Sequence, residues 1–131
     1  MIVLDTSAAV ELILGLPLAR PVQDRLESAD WQIAAPQLLT VEVLQVLRRR
    51  VSAGITSLEN ADAGIRILQD LGIRYVDHQL LADRVWQLRD NLTAYDAAYV
   101  ALAELLGSEL LTADAGIARA PGHRATVRVV S

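Results

Sequence analysis

Asp5, Glu42, Asp96 and Asp114 are acidic residues placed where chemistry is most easily built on a short α/β chain. Asp5 closes the apolar run Ile2 to Leu4, and Asp114 follows a second strand-like run, Glu109 to Thr112. Asp96 falls in the first turn of an alanine-rich helix, and Glu42 shares a polar stripe with Gln45 and Arg49 on a helix otherwise rich in leucine and valine. Singly, each has an ordinary explanation: Asp5 and Asp114 as helix N-caps, Asp96 as the capping partner of Thr93, and Glu42 as a partner of Arg49 or a solvent-facing side chain. Jointly they would bring several like charges together, which repel strongly unless compensated. A divalent cation supplies that compensation, and an all-oxygen donor set favours Mg2+ or Mn2+ over zinc or copper. Such ions serve phosphodiester hydrolysis by activating water and neutralising phosphate charge. His78 and His123 are too few and too loosely placed for a zinc triad and read as surface or loop residues.

The elements that must position these carboxylates are legible in the pattern. Ile2 to Leu4 is a buried strand feeding a helix that runs through Leu14 and stops at Gly15 and Pro17. Pro21 to Ser28 has helical spacing, Trp31 to Ala34 reads as a strand, and Pro36 opens a helix to about Val51, with Gly54 as its stop. Thr56 and Glu59 form a capping box for a helix to Leu71, followed by Gly72 and the strand Ile73 to Val76. Gln79 to Arg89 is helical. Thr93 caps a helix from Ala94 to Leu106, closed by Gly107. A strand Glu109 to Thr112, a helical turn Asp114 to Arg119 and a last strand Thr126 to Val130 complete the chain. Five apolar strands alternating with helices predict one α/β domain over residues 1–131, a mainly parallel five-stranded sheet flanked by helices in three layers. Right-handed crossovers place the residue after each strand on one edge, where open α/β sheets bind ligands.

Composition narrows the chemistry. The 131 residues are 53% hydrophobic and contain no cysteine, so thiolate metal sites and disulfides are excluded. All 12 basic residues are arginine, which removes the P-loop lysine. It also removes a haloacid-dehalogenase-like phosphotransferase or a response-regulator receiver, both of which need a lysine; the former further needs an aspartate where Ser7 stands. The net charge of −4 is unusual for a protein that handles nucleic acid, so the distribution of charge must matter more than its total. Arg48, Arg49 and Arg50 adjoin the acidic stripe, and Arg119, Arg124 and Arg128 follow Asp114, so basic residues are expected to flank an acidic cleft, with Arg49 the best placed. An early charge at Asp5 and the absence of any long apolar run predict a cytoplasmic protein with no membrane segment.

The segments Ile-Val-Leu-Asp5-Thr-Ser-Ala, Glu42-Val-Leu-Gln-Val-Leu-Arg48, Tyr95-Asp96-Ala-Ala-Tyr-Val-Ala-Leu-Ala and Leu-Leu-Thr112-Ala-Asp114, in this order and spacing, resemble the PIN-domain family, in particular its VapC toxins. The resemblance spans nearly the whole chain. It implies a three-layer PIN-like fold and an endoribonuclease whose Asp5, Glu42, Asp96 and Asp114 hold one or two Mg2+ or Mn2+ ions, with a metal-activated water as nucleophile. It implies that Thr6 or Ser7 and Thr112 orient the carboxylates. It implies RNA as substrate, and a homodimer held inactive by a VapB-type antitoxin in a heterotetramer or larger assembly. The chain departs from its relatives at Gly116, where a larger or charged residue is common, which bears on the rigidity of that turn. The apolar helices Val10 to Leu14 and Leu58 to Leu71 are the surfaces expected to meet a partner. Tyr95 and Tyr99 read as packing residues. A PIN-like module that binds RNA or protein without cutting, and an RNA-processing PIN nuclease without an antitoxin, are the alternatives.

Overall fold

The computed structural model describes residues 1–131 as a five-stranded sheet of order β3-β2-β1-β4-β5, with every pairing parallel. The strands are β1 (Ile2–Leu4), β2 (Ile33–Pro36), β3 (Arg74–Val76), β4 (Glu109–Thr112) and β5 (Val127–Val129). Between them lie α1 (Thr6–Leu14), α2 (Ala19–Ser28), α3 (Leu38–Ser52), α4 (Leu58–Asp70), a single 3-10 turn at His78–Leu80, α5 (Ala82–Gln87), α6 (Ala94–Leu106) and α7 (Ala115–Arg119). The three inner strands are apolar because both of their faces are covered: Ile2, Val3, Leu4, Ala34, Leu110 and Leu111 are each at most 3% exposed. A core of 29 buried residues joins them to Ala8, Val10, Val43 and the stretch Tyr99–Ala103 of α6.

Right-handed crossovers put α1 to α4 on one face and α5 to α7 on the other, the three layers that the alternation predicts. The strand order reverses between β1 and β4, so the crevice beyond their carboxyl ends is the switch point of the sheet. Because a crossover helix runs against its strands, α1, α3, α6 and α7 all begin near that edge and turn the positive ends of their dipoles toward it.

Boundaries move where local chemistry overrides pattern. The second strand runs over Ile33–Pro36, two residues later than the reading from Trp31, because Asp30 and Trp31 turn the chain through positive φ, 53° and 55°. Pro36 therefore ends a strand instead of opening α3. The cap of α4 is Ser57, whose side chain accepts from Asn60 N–H, and not Thr56; Thr56 is buried and accepts from Arg50 Nε at 2.9 Å. The expected helix over Gln79 to Arg89 splits into the 3-10 turn and α5. No helix is long and apolar enough to cross a membrane.

Candidate active site

Asp5 is the residue after β1 and the N-cap of α1, and its two roles are compatible because its carboxylate has two oxygens to share. Oδ1 accepts from Ser7 Oγ at 2.7 Å and from Ala8 N–H at 3.1 Å, and Oδ2 accepts from Thr112 Oγ1 at 2.7 Å. Ser7 Oγ also accepts from Ala113 N–H at 2.9 Å, and Thr112 Oγ1 from Asp114 N–H at 2.9 Å. One network thus ties the end of β1 to the end of β4 across the switch point. Its polar groups are fully satisfied, as a buried network must be if it is not to weaken the fold.

Asp114 caps α7, Oδ1 accepting from Gly116 N–H at 2.8 Å. A Cβ on residue 116 would stand 3.0 Å from that oxygen, a tight approach that a shift of a few tenths of an ångström in the Asp114 side chain would relieve. The Gly116 departure leaves this turn pinned by its own aspartate. Asp96 occupies the first turn of α6, whose N-cap Thr93 accepts from Asp96 N–H at 3.2 Å, while no hydrogen bond is donated to the Asp96 carboxylate. Glu42 Oε1 accepts from Tyr99 Oη at 2.6 Å and from Thr6 Oγ1 at 2.9 Å.

These carboxylates act on one another. Burial, then the charges of Asp114, Asp5 and Glu42, hold the pKa of Asp96 above the usual carboxylate range. Burial likewise raises Asp5, against the lowering effect of its donors Thr112, Ser7 and Ala8 N–H, and Asp114 raises it further. The structure therefore brings Asp5, Glu42, Asp96 and Asp114 within electrostatic reach at one edge, with Thr6, Ser7 and Thr112 bonded directly to them. They do not form a closed cage: no group of three or more Asp, Glu or His side chains is arranged as a ready cation site. The donor chemistry nonetheless fits a hard divalent cation. Every donor is oxygen, both oxygens of Asp96 are free of hydrogen bonds, and Oε2 of Glu42 and Oδ2 of Asp114 are unengaged.

The arginines are placed differently from the sequence expectation. Arg49 lies in the last turn of α3, two turns beyond Glu42, is exposed and makes no hydrogen bond or ion pair with any of these carboxylates. Arg128 pairs with Glu109 at 2.7 Å, together with Arg25, also at 2.7 Å, which draws it to the amino end of β4 and away from the acidic edge. Arg124 donates its backbone N–H to Glu104, whose carboxylate also pairs with Arg84 at 2.7 Å, so it too is held off the site. Burial raises Glu109, but bonds from Arg25 and Arg128 outweigh it and leave the carboxyl below its ordinary range. The histidines are structural: His78 Nε2 accepts from Leu38 N–H at the start of α3, and His123 Nε2 bonds to the carbonyl of Ile117. Tyr99, read as packing, is a core residue whose hydroxyl reaches the site; its one sequence signal is a spacing of three from Asp96, which puts both on one face of α6.

A pH dependence follows. In the folded chain Asp5 and Asp96 hold protons at higher pH than in the unfolded chain, so the folded state binds more protons between about pH 4 and their raised values. The contribution of these groups to stability therefore falls as pH rises through that window. Asp96→Asn, which keeps the shape and removes one charge, is expected to melt at or above the wild-type temperature at neutral pH in EDTA, with the gap closing toward pH 4. Melting curves of both proteins across pH test this; a gap that widens on acidification would contradict it.

The PIN domain family matches residues 2–123. Ribonuclease VapC12 of Mycobacterium tuberculosis is 37% identical over 131 residues, covering 100% of both chains. Among solved structures, M. tuberculosis VapC20, a Sarcin-Ricin loop cleaving toxin, superposes with a TM-score of 0.68 at 18% identity, covering 90% of this chain and 93% of that one. VapBC2 of Rickettsia felis, bound to a DNA fragment from its promoter, gives a TM-score of 0.68 at 16% identity over 100% of both chains. At these identities the structural likeness speaks for the fold alone.

Proposed function

The chain belongs to the PIN-domain family, and from that premise we propose that it is a cytoplasmic, single-domain endoribonuclease, the toxin of a toxin-antitoxin pair. The observation that carries this reading is the set of mutually coupled carboxylates at the switch point of a parallel sheet, together with hydroxyls that orient them. RNA is the substrate class. The ribonuclease name of the full-length relative supports it.

Asp5, Glu42, Asp96 and Asp114 would hold Mg2+ or Mn2+, which when bound would activate a water and screen the charge of the scissile phosphate. The chain's own residues prepare that site. Ser7 and Thr112 fix the carboxylate of Asp5 from both sides, and Gly116 N–H fixes that of Asp114. Asp96, with both carboxylate oxygens free of hydrogen bonds, is the acid of the four most open to a ligand. The uncompensated cluster repels phosphates, so the acidic edge becomes a place for RNA only once its charge is offset.

A VapB-like antitoxin is the proposed partner, with the toxin as a homodimer in a heterotetramer or larger complex. The VapC name of the full-length relative supports the antitoxin. The expected apolar surface survives on α4, where Leu58 and Ile67 are 65% and 44% exposed. It does not survive on α1, whose Val10 and Ile13 are buried at 7% and 4%.

The test is incubation of antitoxin-free protein with a panel of cellular RNAs in Mn2+, Mg2+ or EDTA. Fragmentation at defined sites that requires the cation and stops in EDTA is the expected result. RNA retention without cutting would replace this reading with a binding module, and metal-independent cutting would point to contamination or other chemistry.

A further inference from the structure

We infer that Tyr99 is a positioning residue, the clamp that fixes the Glu42 carboxylate; the inference rests on the reading of the acidic edge as a cation site. Glu42 arrives from α3, on the helical layer opposite α6, and its only hydrogen-bond partners are Tyr99 and Thr6. No arginine pairs with it, the nearest in its stripe, Arg49, being exposed and unbonded to it. A free glutamate side chain samples many rotamers, and ordering it costs conformational entropy. Tyr99 removes that freedom cheaply, because its ring is itself locked at 2% exposure inside the core.

The geometry defines how the clamp works. Glu42 Oε1, Tyr99 Oη and Thr6 Oγ1 form a triangle with sides of 2.6, 2.9 and 2.9 Å. Two hydroxyl protons serve three edges. The shortest edge, Tyr99 to Glu42, has the length of a charge-assisted bond, so the phenol donates there, while Thr6 donates to Glu42 or to the phenol oxygen. Oε1 is thereby occupied and Oε2 is the oxygen left to face a ligand. Helix α6 thus supplies one carboxylate, Asp96, and one turn later holds another in place from across the sheet edge.

A phenol that merely fills the core with its hydroxyl satisfied would look similar, and metal binding separates the two. Mn2+ affinity is measured by calorimetry, without RNA, on wild type, Tyr99→Phe, Thr6→Val, Glu42→Gln and the double variant Tyr99→Phe/Glu42→Gln, with melting curves to confirm folding. Tyr99→Phe keeps the ring and is expected to weaken Mn2+ binding about 10-fold to 100-fold. Thr6→Val is expected to weaken it less. In the Glu42→Gln background, removing the phenol oxygen should cost nothing further, since its effect acts through that carboxylate. Wild type that binds, Glu42→Gln that binds weakly and Tyr99→Phe that binds like wild type would overturn the clamp alone. A full additional loss in the double variant would overturn it too, by showing that the phenol acts elsewhere. Wild type that binds no Mn2+ would remove the cation reading and this inference with it.

Discussion

Asp96→Asn is expected to lower kcat/KM for RNA cleavage by at least about a hundredfold, equivalent to roughly 3 kcal/mol of transition-state stabilisation, while leaving the fold intact. The argument is one of charge without contact. Asp96 receives no hydrogen bond on its carboxylate, so asparagine breaks no internal partner, and the Thr93 cap is made by backbone N–H and survives. What is lost is a charge that the three other carboxylates oppose and that a bound cation or a departing proton would use. Loss of cleavage in a protein that melts no lower than wild type is a signature that ordinary destabilisation cannot produce. Cleavage by the variant within a few-fold of wild type would remove Asp96 from the site. The measurement is initial rates of RNA cutting in Mn2+, paired with melting curves in EDTA.

Thr112→Val is expected to act in the opposite way, costing stability and activity together. Valine has nearly the same shape, but Thr112 is 0% exposed and its hydroxyl serves Asp5 Oδ2, Asp114 N–H and, at 3.2 Å, Ser7 Oγ. Removing it strands a buried carboxylate oxygen and a backbone donor. Each stranded group costs about 1–3 kcal/mol, more when charged, so a total loss of about 3 kcal/mol is expected, or roughly 10 °C in Tm for a chain of this size. Since the same hydroxyl aims Asp5, cleavage should also fall by about 10-fold to 100-fold under conditions where the variant is folded. Thr112→Ser keeps the hydroxyl and should restore most of both. Urea unfolding and cleavage rates on the two variants decide the matter, and a valine variant as stable as wild type would show that the network carries no weight.

The parts of this molecule that depend on short stretches of chain are legible in its residues, and the parts that depend on distant ones are not. Thr93 before an alanine-rich run and Gly107 after it mark α6 to the residue, because caps are local devices, and Gly107 takes the left-handed φ of 59° that such an end requires. Asp5 and Asp114 are readable as strand-end acids because parallel topology sends every strand end to one edge. Thr56, read as the cap of α4, yields that place to Ser57 and bonds Arg50 instead, a contact that no helix-start pattern contains. Arg128 carries no sign that Glu109, at the other end of the neighbouring strand, will claim it. Tyr99 is the clearest case: its partners lie 57 and 93 residues away, so its role exists only once three helices have met.

The order of strands also governs when this protein can become what it is. Asp5 and Thr112, which clasp across the centre of the sheet, are 107 residues apart, and β4 is inserted beside β1 after β2 and β3 have been synthesised. During synthesis the first strand therefore waits with one edge unpaired until β4, about a hundred residues later, has emerged. A chain growing at about 5–20 residues per second passes several seconds in that state. For a destroyer of RNA the wait is protective: until the segment carrying Asp114 emerges, the nascent polypeptide holds only part of its acidic cluster beside the RNA machine that makes it.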